Sequence, residues 1–118
     1  MQSSRVIDAL AALAHQHRLA IYRLLVERGP DGLPAGLIGA RLKLVPSSLT
    51  FHLQSLQRAG LIVQRRESRN LIYSADFEVM NGLVGYLTDN CCVESAASCS
   101  AECQPARPAK LGKRTKAA

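Results

Sequence analysis

Tryptophan is absent from the 118 residues, and the aromatics number five: Tyr22, Phe51, Tyr73, Phe77 and Tyr86. That is thin material for the stacking platforms that hold single-stranded nucleic acid and RNA. No apolar run approaches the roughly 20 residues needed to cross a bilayer, and Asp8 interrupts the N-terminal apolar stretch, so a signal peptide's layout is missing. The expected location is the cytoplasm. There is no glycine-rich phosphate loop, no paired-acid motif, no Cys-x-x-Cys pair and no nucleophile with an identifiable His and acid partner, so the chain does not read as an enzyme. Cysteine is missing altogether from residues 1–90.

The cysteines that do occur are crowded. Cys91, Cys92, Cys99 and Cys103 fall within thirteen residues, directly after an apolar helical pattern ends. Thiolates favour soft or borderline ions, and in a reducing compartment clustered thiols are ligands or redox switches rather than a disulfide framework. The cluster points to a sensor site for a thiophilic metal or metalloid, attached to whatever the preceding residues do. The net charge of +6 divides into +3 from residues 1–90 and +3 from residues 91–118. A basic balance suits a polyanion, and with so few aromatics the expected partner is double-stranded DNA. A chain of this length supports one small domain, whose modest core a second copy would usefully enlarge.

Hydrophobic spacing divides the chain further. Val6, Ile7, Leu10 and Leu13 make one stripe, and Leu19, Ile21, Tyr22, Leu24 and Leu25 a broader one. This predicts two helices across residues 4–28, parted by His15-Gln16-His17-Arg18. Gly29-Pro30-Asp31-Gly32 is a stop and turn; Leu37, Ile38 and Leu42 predict a short third helix. Pro46 suits the first position of a fourth, where its missing N–H costs nothing. That helix packs Leu49, Leu53 and Leu56, leaves Ser47, Ser48, Thr50, Gln54, Gln57 and Arg58 largely elsewhere, and ends at Gly60. Residues 61–67 and 70–74 read as two short strands joined through Ser68-Arg69, a hairpin with a basic rim. From Phe77 the helical period returns through Met80, Leu83, Val84, Leu87 and Cys91.

Two short helices, a turn, a polar-faced helix and a basic hairpin make a winged helix-turn-helix, mainly α with a small β-hairpin (α+β). The expected division is a DNA-binding and dimerisation domain over 1–90, a cysteine-rich metalloid-binding segment over 91–103, and a basic disordered tail over 104–118. In that tail two prolines and five basic residues stand among almost no apolar bulk.

At this point a family resemblance becomes specific. The stretch Leu13-Ala14-His15-Gln16-His17-Arg18-Leu19-Ala20-Ile21-Tyr22-Arg23-Leu24-Leu25, the helix from Ser47 to Leu56, Ala59-Gly60-Leu61-Ile62 and the Arg65 to Tyr73 hairpin together resemble the bacterial arsenic-repressor (ArsR/SmtB) family over roughly residues 5–92. The resemblance implies a homodimeric repressor, joined through its terminal helices, that leaves operator DNA when a metal or metalloid binds. It places Ser47, Ser48, Thr50, Phe51, His52 and Gln54 on the recognition helix and Arg65, Arg66 and Arg69 on the wing. Short hydroxyl and amide side chains can reach base edges, and wing arginines give salt-sensitive phosphate contacts. The chain departs from the family at Gln16, where proline is usual, and at Val45, where a capping serine is common. The family site built on cysteines of the third helix is missing, because no Cys lies between Gly29 and Arg41.

Trivalent arsenic and antimony form pyramidal complexes with three thiolates, which Cys91, Cys92 and either Cys99 or Cys103 would supply. Tetrahedral zinc uses two chelating pairs, and adjacent cysteines make a poor pair. Some arsenic-responsive family members carry a Cys-Cys pair at the end of the last helix, as Asn90-Cys91-Cys92 does here. Arsenite, antimonite and a methylated trivalent arsenical all remain open as inducer. So do a thiol-redox or zinc trigger on the same fold, and a winged-helix interaction or metal-buffering module that reads no DNA.

Overall fold

The computed structural model describes residues 1–94; Cys99, Cys103 and the tail expected to be disordered lie outside the described residues. The chain divides into two compact units, Met1–Leu83 and one beginning at Val84. In chain order the elements are α1 (Ser3–Leu13), α2 (Gln16–Arg28), β1 (Leu33–Pro34), α3 (Ala35–Leu42), α4 (Pro46–Arg58), β2 (Ile62–Glu67), β3 (Asn70–Ala75) and α5 (Phe77–Thr88).

Local chemistry explains the boundaries. His15 is the N-cap of α2: its backbone is extended and its Nδ1 accepts the His17 N–H at 3.1 Å, satisfying one of the donors a helix start leaves unpaired. Gly29, at φ 91°, ends that helix. The N-cap of α4 is Val45, whose side chain makes no capping bond, and Pro46 follows in the first turn as its fixed φ favours. Asp76 precedes α5 and accepts the Val79 N–H at 3.2 Å. The hairpin pairs Ile62 with Ala75 through to Glu67 with Asn70 and turns at Ser68 and Arg69, Ser68 taking φ 57°.

The strand β1 has no counterpart in the sequence pattern. It pairs antiparallel with β3, Leu33 opposite Tyr73, so the sheet order is β1-β3-β2. Two residues are too few to show a period; the strand exists because β3 lies beside it. Gly32 makes that approach possible. Its φ is +69°, and a Cβ there would run into the backbone carbonyl of Tyr73. Gly32→Ala is expected to destabilise the fold by more than about 1 kcal/mol, since both backbone conformation and space oppose it. Thermal unfolding should show the loss as a drop of at least about 4–8 °C.

In the first unit, Val6, Ala9, Ile21, Leu25, Leu33, Ile38, Leu53, Leu56, Leu61 and Ile62 form the core with Tyr22, Tyr73 and Leu83. The expected stripes are partly redistributed. On α1 the core side is Val6, Ala9 and Ala12, while Ile7 and Leu10 are exposed. Small alanines let the helix lie close, and the larger side chains face away. On α2, Leu19 is exposed and Ile21, Tyr22 and Leu25 are buried. Leu49, Leu53 and Leu56 of α4 pack inward as their spacing predicts.

In the second unit Val84, Tyr86 and Leu87 are exposed. Among the described residues, no helix is long and apolar enough to cross a membrane.

Candidate nucleic-acid interface and cysteine site

An amphipathic helix buries its apolar stripe and leaves the polar face to solvent. With Leu49, Leu53 and Leu56 turned inward, α4 presents Ser47, Ser48, Thr50, Phe51 and Gln54 to solvent. Phe51 is 58% exposed, an apolar ring in a row of hydroxyl and amide groups. The face therefore offers hydrogen-bond donors and acceptors together with one surface able to meet a thymine methyl.

His52, expected on the same reading face, has different surroundings. It is only 8% exposed. Its ring lies 4.7 Å from that of His15 and 5.7 Å from that of His17, centroid to centroid. Its Nδ1 is buried without a hydrogen-bond partner. Burial first, then the neighbouring His15, His17 and Arg18, hold the imidazole below its ordinary value. The sequence showed His15 and His17 at a helix junction but gave no sign that His52, far along the chain, joins them.

The wing also sorts its arginines. Arg65 reaches back to the turn after α2, donating from Nη1 to the Pro30 carbonyl at 3.2 Å and from Nη2 to the Asp31 carbonyl at 2.7 Å. Its Nε donates to Glu67 Oε2 at 2.9 Å. These donors tie the hairpin to the body, while 41% of the side chain stays exposed. Successive residues of a strand face opposite sides, so Arg66 does not share that attachment. Among the described residues the ion pairs are Arg23 with Glu27 and Arg65 with Glu67. Arg66 and Arg69 are exposed and outside both.

The cysteine pair sits differently from the sequence pattern. The helical period was expected to run on to Cys91, but α5 ends at Thr88, whose Oγ1 donates to the Val84 carbonyl at 2.9 Å. The Cys91 N–H then bonds the Thr88 carbonyl at 3.0 Å, and Asn90 and Cys92 both take φ 60°. In that turn the Cys91 and Cys92 sulfurs come to 3.6 Å, well beyond the covalent distance of about 2.05 Å. Two ion–sulfur bonds of about 2.3 Å across this gap would meet at roughly 100°, an angle suited to one shared soft ion. Among the described residues no group of three or more His, Cys, Asp or Glu could hold a metal ion. Cys99 and Cys103 lie outside those residues.

A helix-turn-helix domain model matches residues 13–65. YgaV of Escherichia coli, an HTH-type transcriptional regulator, is 30% identical over 83 residues, which are 70% of this chain and 82% of that protein. The structure of reduced HlyU from Vibrio cholerae is similar at 31% identity and a TM-score of 0.58, covering 72% of this chain and 90% of that one. The chain belongs to the ArsR/SmtB family. This member of the family is a transcriptional regulator, with α4 in the place of the recognition helix and the β2–β3 hairpin in the place of the wing. A third relative is the homodimeric winged helix-turn-helix DNA-binding domain of a regulator from Mycobacterium bovis. It is 26% identical, with a TM-score of 0.58, covering 74% of this chain and 81% of that one. HlyU itself is described as a transcriptional activator. The matched helix-turn-helix stretch ends at residue 65, short of Cys91.

Proposed function

We propose that this ArsR/SmtB regulator is a homodimeric repressor, released from operator DNA when trivalent arsenic or antimony binds thiolates that include Cys91 and Cys92. The observation that carries the inducer is the 3.6 Å approach of those two sulfurs directly after α5. Adjacent cysteines favour a three-sulfur pyramidal ion over tetrahedral zinc, and either Cys99 or Cys103 supplies the third sulfur. DNA is met by Ser47, Ser48, Thr50, Phe51 and Gln54 of α4 and by Arg66 and Arg69 of the wing. Exposed Ile7 and Leu10 on α1, and Val84 and Leu87 on α5, supply apolar surface for a second copy. The M. bovis relative, named as homodimeric, supports that assembly.

Thiol oxidation is the second reading, favoured by the same adjacent sulfurs and by a solved relative named in its reduced form.

Fluorescence anisotropy of the full chain on a promoter fragment tests the proposal. Binding should weaken with salt, and Arg66→Ala and Arg69→Ala should each lower the log–log salt slope by about 0.9 while Arg65→Ala does not. Arsenite or antimonite under reducing conditions should release the DNA. Release by zinc or peroxide alone would move the trigger elsewhere, and no salt-dependent binding would remove the DNA reading.

A further inference from the structure

Three imidazoles meet where α4 packs on the start of α2. His15 caps α2, His17 lies in its first turn, and His52 is on the inward side of α4. Their ring centroids are separated by 4.7, 5.6 and 5.7 Å. The DNA-reading face does not use this cluster, and its donors are not arranged to hold a metal ion. The chemistry available to it is protonation.

A neutral imidazole has one donor and one acceptor nitrogen. The Nδ1 of His15 accepts the His17 N–H at 3.1 Å, so a proton on that nitrogen deletes the cap and sets donor against donor. The Nδ1 of His52 is buried without a partner, so protonation there creates a buried cation. The charged and titratable groups acting on His52 are His15, His17 and Arg18, all from the beginning of α2, and none is a carboxylate. Arg18 is fixed by donating from Nε to the Ala12 carbonyl at 2.6 Å. From α4 itself the neighbour is the uncharged Phe51 ring at 5.8 Å. Neutral rings pack here with a cap bond intact; charged rings lose the bond and repel.

We propose that His15 and His52 form a clasp that seats the recognition helix against the start of α2 only while the buried His52 ring is neutral, so that operator binding weakens on acidification. This rests on α4 being the DNA-reading helix. His52 and His15 are positioning residues, acting through the seat of α4. The direction follows from linkage: folded His52 resists a proton that the unfolded chain accepts near 6.5. The contribution is therefore full above that pH and is lost as pH falls below it.

The test uses the full chain and a duplex selected from a random pool by the wild-type protein. Affinity is measured at fixed ionic strength from about pH 8 to about pH 5, the range in which histidine changes charge, and thermal unfolding without DNA is followed over the same range. Wild type should lose affinity on acidification, up to about tenfold per pH unit for one coupled proton. His15→Asn keeps a capping side chain but removes the ring packed on His52; it should bind within about twofold of wild type at the alkaline end and show a much flatter profile. Parallel profiles for the two proteins, or affinity that rises on acidification as added cationic charge alone would give, would overturn the clasp. If no duplex is bound even at the alkaline end, the DNA reading fails, and the melting profiles still judge the clasp. An acid-dependent drop in wild type that is absent from His15→Asn supports it, and equal drops refute it.

Discussion

Cys91→Ser and Cys92→Ser proteins are expected to bind operator DNA within about twofold of wild type, as substitutions outside the core usually do (Cys91 is exposed and Cys92 half-buried), and to stay bound when arsenite is added. The expectation follows from donor chemistry. Serine offers a hard oxygen in place of a soft sulfur, yet it is close in size, and the turn holding these residues is set by backbone bonds such as Cys91 N–H to the Thr88 carbonyl. Allosteric coupling is typically about 1–3 kcal/mol, or 5- to 150-fold in affinity, so the lost response is the largest functional effect predicted for any single substitution here. Anisotropy titration with and without arsenite measures it. Loss of DNA binding together with inducer response would assign the pair a structural role.

The largest effect on stability is expected from Leu56→Ala. Leu56 is fully buried at 0% exposure, on the side of α4 opposite its polar row. Removing such a side chain costs about 2–5 kcal/mol, the transfer term plus the cavity left behind. Against a total stability of about 5–15 kcal/mol, that is a large fraction, and the unfolding midpoint should fall by about 10 °C or more. Leu37→Ala is the control. Its position in α3 looks equally apolar in the sequence, but its side chain is 48% exposed, and the change should stay within about 0.5 kcal/mol. Similar losses at both positions in thermal or urea unfolding would contradict the assigned core.

Much of the fold was legible because periodicity and turn chemistry agree along the chain. Pro46 and Gly60 bracket α4, Leu49, Leu53 and Leu56 define its packing face, and the Ser68-Arg69 bend locates the wing. Where several residues share a register, the pattern is redundant and survives a local exception such as the uncapped Val45. The candidate interface was legible to the same depth: Ser47, Ser48, Thr50, Phe51 and Gln54 are on the outer face their spacing requires. What spacing cannot provide is the partner of an individual side chain. His52 and Arg65 look like good DNA contacts as isolated polar residues, yet one is enclosed by His15 and His17 and the other is tied to the Pro30 and Asp31 carbonyls.

The sequence by itself determined the winged helix-turn-helix, the basic character that suits DNA, and the concentration of sulfur after residue 90, because each is a property of local order or composition. Only the tertiary structure decided that β1 exists, that Ile7 and Leu10 face outward while Ala9 and Ala12 face the core, and that α5 stops before the cysteines. It also decided which residues surround His52 and which carbonyls Arg65 reaches. The physical reason is that burial and hydrogen bonding are settled between residues distant in the chain. A histidine or arginine ends where its neighbours can satisfy it, and no periodicity records who those neighbours are.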